Sequence, residues 1–167
     1  MKKSNTAGLI SRAIFLLILS FWIGSIFFFS TVTAKSIFTT LPREEAGKLI
    51  SVIFDSYYPM QYIFALILGS TVLYQLFMDR FSSNSVWIKR LVLITIMLII
   101  TLYAGICIRN KAKEAKLIMN KSETNSEIYI EANNDFSSYH RNSVIANGLV
   151  FLLGIVILIH VSNKEYR

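Results

Sequence analysis

The sequence predicts an all-α integral membrane fold, a four-helix bundle with an interfacial amphipathic helix between its first and second spans. Three observations support it. Only 16% of the 167 residues are charged and 54% are hydrophobic, against about 25% charged in an ordinary soluble domain. The charges are segregated, since Ala13 to Ala34, Ser56 to Met78, Leu91 to Ile108 and Asn142 to Asn163 contain no Asp, Glu, Lys or Arg. A spanning helix needs about 20 apolar residues to cross hydrocarbon about 30 Å thick at about 1.5 Å per residue. Runs of 22, 23, 18 and 22 residues fit that requirement. A soluble core patterned at helical or strand period has no reason to segregate charge this way.

The first span, residues 13–34, follows Lys2, Lys3 and Arg12. Its ending, Val32-Thr33-Ala34, could be a signal-peptidase site, but the uncharged stretch exceeds the roughly 7 to 15 residues of a signal-peptide core. A retained span is expected, with Ser20-x-x-x-Gly24 supplying small residues for a neighbouring helix. Residues 42–56 then place Ala46, Leu49, Ile50, Ile53 and Phe54 at helical neighbour spacings. Pro42 suits the first turn, and Glu44 and Glu45 complement the positive end of the dipole. This segment is expected to lie along the membrane surface. Pro59 disfavours helical geometry at Tyr58, and should turn the chain into the second span, residues 58–78.

The third span, residues 90–108, is bracketed by Arg90 and Arg109, whose stems can follow the apolar wall while the guanidinium groups reach the headgroups. In the extramembrane link, residues 109–141, charges at Lys111, Lys113, Glu114 and Lys116 alternate with Ala112, Ala115, Ile118 and Met119. This pattern continues the third helix into water for about two or three turns. Ser122 to Asp135, rich in Asn, Ser and Glu, reads as a loop or short helical pieces. Glu123, Glu127 and Glu131 read as solvated carboxylates, because the stretch lacks a calcium-loop signature. The fourth span covers residues 142–162. Tyr57, Tyr58, Trp87 and Tyr166 sit near proposed boundaries, as interfacial rings should, and Trp22 is the mid-span exception.

Lys and Arg counts give orientation weakly, with eight on the side of the termini and nine on the other. The eight are concentrated in short segments beside the spans, which favours both termini in the cytoplasm of a bacterial-type inner membrane. The net charge of +7 then suits anionic headgroups. Nucleic acid is not an expected partner, because no contiguous basic stretch or stacking module is present. The expected partners are the lipid bilayer and a second copy or another membrane protein. Cys107 is the only cysteine, so no intramolecular disulfide or thiolate metal cage can form.

Phe136, His140, Ser143 and Asn147 are separated by four, three and four residues, which puts them within roughly a 60° arc of one helix at about 100° per residue. Gly154 continues the line inward. A buried amide such as Asn147 needs a partner in hydrocarbon, so the stripe should face the bundle as interhelical glue or as the wall of a ligand site. His140 and His160, the only histidines, lie 20 residues apart on one helix, about 30 Å at helical rise. They cannot clamp one haem, and no cofactor or metal is expected. Ser143 one turn from His140 is ordinary helical spacing without a partner carboxylate, so no enzyme is expected.

Trp22-x-Gly24, then Leu41-Pro42-Arg43-Glu44-Glu45-Ala46-Gly47 leading to Phe54-x-x-Tyr57-Tyr58, then Phe136-x-x-x-His140-x-x-Ser143-x-x-x-Asn147 together resemble a four-span membrane family of unknown function. Its best-known animal member is the transmembrane protein associated with cisplatin resistance. The resemblance extends over nearly the whole chain and implies a four-helix bundle without an established substrate. It marks Glu45, Gly47, Phe54, Tyr57 and Tyr58 beside the His140 stripe. The family's pattern would put a proline near the end of the third span, where this chain has Ile106-Cys107-Ile108. The leading expectation is a non-catalytic membrane component that binds a partner, lipid or small molecule. The alternative is a permeation or export component, acting as an oligomer or with a partner, whose path Gln75, His140, Ser143 and Asn147 would line. No charged residue lies within the four runs to couple ion movement.

Overall fold

The charge-free runs each become part of a helix longer than the run itself. The computed structural model describes residues 6–78, 84–124 and 126–165. In it α1 runs Thr6–Thr40, α2 Arg43–Met78, α3 from Asn84 to Lys121 and α4 Glu127–Glu165, with no strand among the described residues. All four helices are long and apolar enough to cross a membrane. The 36 residues of α2 span about 54 Å at about 1.5 Å per residue, well beyond a hydrocarbon core of about 30 Å. The excess lies at one end, where the charges Lys35, Asp55, Arg109 and Arg141 begin.

α1 packs on α2, α2 on α3, α3 on α4 and α4 on α1. The helices therefore form a ring in chain order, the up-down-up-down arrangement that short connections favour, with α2 and α4 across a diagonal. Phe15, Leu19, Trp22 and Ile26 of α1 meet Ala65, Leu68 and Val72 of α2, Ile94 and Met97 of α3, and Val150 and Ile157 of α4. Trp22 is fully buried in this core, which accounts for an indole away from any interface. At Gly154 a Cβ would stand 2.6 Å from Cγ1 of Ile23, so α1 and α4 approach closely there. Ser20 and Gly24 do not perform that role; both face outward, and a Cβ on Gly24 would have no atom within 4 Å. Leu17, Phe21, Leu66, Ile99 and Leu152 are exposed around the ring, as suits a bundle solvated by lipid.

The expected surface helix over 42–56 is not a separate element. It is the first third of α2, which runs through Pro59 without a corner. Pro59 faces outward and a helix-interior proline costs about 3 kcal/mol. One inward stripe, Ala46, Ile50, Tyr57, Tyr58, Gln61 and Ala65, is buried on both sides of it. Packing that holds both halves in phase offsets the lost hydrogen bond, as commonly happens in spanning helices.

α3 passes through a π-helical turn, Tyr103–Ile108, and then continues to Lys121. The extension beyond the span is thus helical as expected. The loop expected over 122–135 shrinks to a short connection, because α4 begins at Glu127. Ser126 caps it, its Oγ accepting the Tyr129 N–H at 3.2 Å, and Glu127 occupies the first turn, where a carboxylate favours the dipole. Arg90 does not reach outward to headgroups. It is 6% exposed, and its guanidinium carbon lies 4.4 Å from the Trp87 ring centroid and 5.8 Å from that of Phe15.

Candidate functional site

Tyr57 and Tyr58 are consecutive on α2, yet both are buried, at 6% and 2% exposed. From there each reaches across the diagonal to α4. Tyr57 Oη donates to Oδ1 of Asn147 at 3.3 Å, Tyr58 Oη lies 3.2 Å from Oγ of Ser143, and Asn147 Nδ2 donates to the Ser143 carbonyl at 3.0 Å. These contacts satisfy polar groups that would be costly to bury unpaired. Thus the two sets of residues singled out from separate parts of the sequence meet in one layer.

Aromatic packing holds this layer in place. A second π-helical turn, Phe29–Thr33 of α1, supplies Phe29, whose ring centroid is 5.2 Å from Phe54 and 5.1 Å from Tyr57. Phe54 in turn is 5.4 Å from Tyr58, within the range of favourable aromatic pairs. On α3, Gly105 lies in the π-helical turn and gives Tyr58 its room. A Cβ there would stand 2.7 Å from Cδ1 of Tyr58 and collide with the Tyr62 hydroxyl.

Above the tyrosines, toward the two connections at Leu41–Pro42 and 122–126, the α1–α2 and α3–α4 hairpins flank an open-sided cavity of about 330 Å³. Its inner wall is apolar, made by Ile50, Phe54, Tyr58, Ile108 and Ala112. Side chains bridge the hairpins on the α2–α3 side of the cavity. There Asp55 pairs with Arg109 and lies 3.4 Å from Lys113 Nζ. Farther out a wider, more polar space of about 620 Å³ shares Phe38, Gly47, Lys116 and Phe136 with the inner cavity and adds Asn120, Ser122 and Asn133.

Gly47 has a specific job in this wall. The Lys116 ammonium nitrogen would be 2.8 Å from a Cβ at that position, so glycine admits it. Burial holds the Lys116 ammonium below the usual lysine range, with repulsion from Lys48 adding to the effect and Glu44 opposing it. Glu44 itself is paired with Lys48 at 2.7 Å, and that hydrogen bond holds its carboxyl below the usual range.

His140 and Ser143 both line the cavity, with Gly47, Phe54 and Tyr58 opposite. His140 is more exposed than a packing role implies, and its ring stacks on Phe136 with centroids 6.5 Å apart. Tyr57 and Asn147 lie in the hydrogen-bonded layer rather than on the cavity wall, and Glu45 is exposed away from it. Gln75 does not join them. Its Nε2 donates to the Gly8 carbonyl at 3.1 Å near the opposite end of α2. Lys116, Arg109 and Ala112 were missed as site residues, although their helical spacing past Arg109 put them on one face. Among the described residues no group of three His, Cys, Asp or Glu could hold a metal.

A family model for a domain of unknown function (DUF4149) matches residues 17–121. The chain belongs to this family. The DUF4149 match takes in Gly47, Phe54, Tyr57, Tyr58, Gly105 and Lys116 and ends before α4, so its span is shorter than the resemblance drawn from the residues. The DUF4149 description names no activity and makes no reference to cisplatin resistance. No curated protein and no solved structure matches the chain.

Proposed function

We propose that this DUF4149 chain is a non-catalytic, multi-pass component of a bacterial-type inner membrane that holds a lipid or small amphipathic molecule between its two hairpins. The observation that supports this reading most is the cavity of about 330 Å³, with an apolar wall and a polar rim. Such a volume falls at the small end of the roughly 300–1,000 Å³ of small-molecule sites. With both termini in the cytoplasm, the cavity opens on the opposite face of the membrane, where a bilayer component could enter between the helix extensions. The non-catalytic part rests on the side chains themselves. Ser143 Oγ is engaged by Tyr58, and His140 stacks on Phe136 with no hydrogen bond or ion pair among the described residues.

Native mass spectrometry of gently extracted protein tests this reading. A retained small molecule is expected on the wild type and absent from Ala112→Phe, which fills the cavity. Naked protein in both cases would overturn it. Export of the same molecule, suggested by the resemblance to the cisplatin-resistance protein, is the competing function and requires flux through liposomes holding the purified chain or its co-purifying partner. The occupied amide of Gln75 removes one group from that path.

A further inference from the structure

Lys116 stands at the seam between the apolar cavity and the polar space outside it, lining both. The neighbouring carboxylates are already engaged. Arg109 and Lys113 share Asp55, and Lys48 holds Glu44. Lys116 makes no ion pair among the described residues, although its side chain is half-buried against Gly47. An ammonium partly withdrawn from water, with the nearby carboxylates held by other cations, is unfavourable. A glycine inside a helix costs more conformational entropy than an alanine, and here its effect is to let that ammonium in.

The chemistry on either side of the Lys116 Nζ is different. Inward are Ile50, Phe54, Tyr58 and Ile108; outward are Asn120, Ser122 and Asn133. A molecule complementary to this gradient has an apolar body, a single negative group at the seam and any remaining polar part outside. Building on the binding function proposed above, we infer that the cavity takes an anionic amphiphile, an acyl chain bearing a phosphate or carboxylate, with its anion on Lys116 and its chain against Phe54, Tyr58 and Ile108. The shared chemistry could come from a bilayer lipid with one chain inserted or from a free fatty acid. Charge complementarity also argues against a neutral apolar ligand, which would leave the ammonium uncompensated.

The test uses the full chain in neutral detergent, with dioleoyl phosphatidylglycerol, dioleoylglycerol and oleate as probes, and reads bound species by native mass spectrometry. On the wild type, phosphatidylglycerol or oleate is expected to bind about tenfold tighter than dioleoylglycerol, which has no anionic group, the worth of one charge-assisted contact. Lys116→Gln should remove that advantage and leave dioleoylglycerol unchanged, Lys116→Arg should keep it, and Ala112→Phe should weaken every probe. Preference for phosphatidylglycerol alone assigns the bilayer source, and preference for oleate alone assigns the free acid. Equal affinity for all three probes on the wild type, or a preference that survives Lys116→Gln, overturns the anionic assignment. The binding function would still stand if Ala112→Phe weakened the probes, and would fall if Ala112→Phe bound them as the wild type does.

Discussion

The hydroxyl of Tyr58 on α2 meets the hydroxyl of Ser143 on α4 at 3.2 Å, joining two helices that are not neighbours in the ring. Both groups sit where an unpaired hydroxyl would be poorly solvated, so each protects the other. Tyr58→Phe and Ser143→Ala should each lower stability by about 0.5–1.5 kcal/mol. Their double variant should lose less than the sum, with a coupling of about 0.6 kcal/mol and no more than about 1.7. Unfolding in mixed micelles measures this cycle, and strict additivity would mean that the contact contributes nothing.

Two glycines should behave oppositely. Gly105→Ala drives a methyl group into the rings of Tyr58 and Tyr62 and should destabilise by about 1–3 kcal/mol, the usual result of overpacking. Gly24→Ala meets open space and should be neutral or stabilising by up to about 1 kcal/mol. Thermal unfolding of the two variants side by side checks the contrast.

Lys116 gives a pH dependence of definite sign. Burial lowers its pKa in the folded chain below the usual lysine range, so between the folded and unfolded values the unfolded chain binds more protons. Stability should therefore rise as pH climbs from the folded-state value toward the unfolded one. Lys116→Met should abolish this rise and should be more stable than the ligand-free wild type near neutrality. Unfolding curves from pH 7 to 10.5 read both effects; a slope retained in Lys116→Met would assign it to another group.

Cys107 is exposed on the outer side of α3, toward the end that carries the cavity. A membrane-impermeant maleimide should label it from the outside of intact spheroplasts and not from the outside of inverted vesicles, where the cytoplasmic face is exposed. Labelling only in inverted vesicles would reverse the proposed orientation.

Charge segregation made the four membrane helices legible, because water-avoiding runs of that length leave few alternatives. The helix boundaries were harder. Pro59 suggested a corner, but Ala46, Ile50, Phe54, Tyr57, Gln61, Ala65, Leu68 and Val72 keep one helical phase across it. That unbroken stripe was the stronger signal, since a proline breaks a helix only where packing does not hold both sides. In the same way Ala132 and Phe136 already continue the phase of Ser143 and Val150, and Ser126 before Glu127 is a capping pattern. The polar stripe on α4 was legible because its residues share one helix. Its partners were not, because Tyr57 and Tyr58 come from α2 and no periodicity within one helix reports on what lies across a diagonal. Lys116 resembled any solvated lysine in the sequence; only the glycine on the facing helix distinguishes it.

The π-helical turn in α3 sets the azimuth of everything beyond it. At about 100° per residue, winding the same residues as an unbroken α-helix through Tyr103–Ile108 would swing the outer segment of α3 by more than a quarter turn. Arg109 would then point away from Asp55 and Lys116 away from Gly47, while the span below kept its lipid-facing side. One extra peptide unit thus acts as the gear that keeps a membrane anchor and a water-facing wall in register.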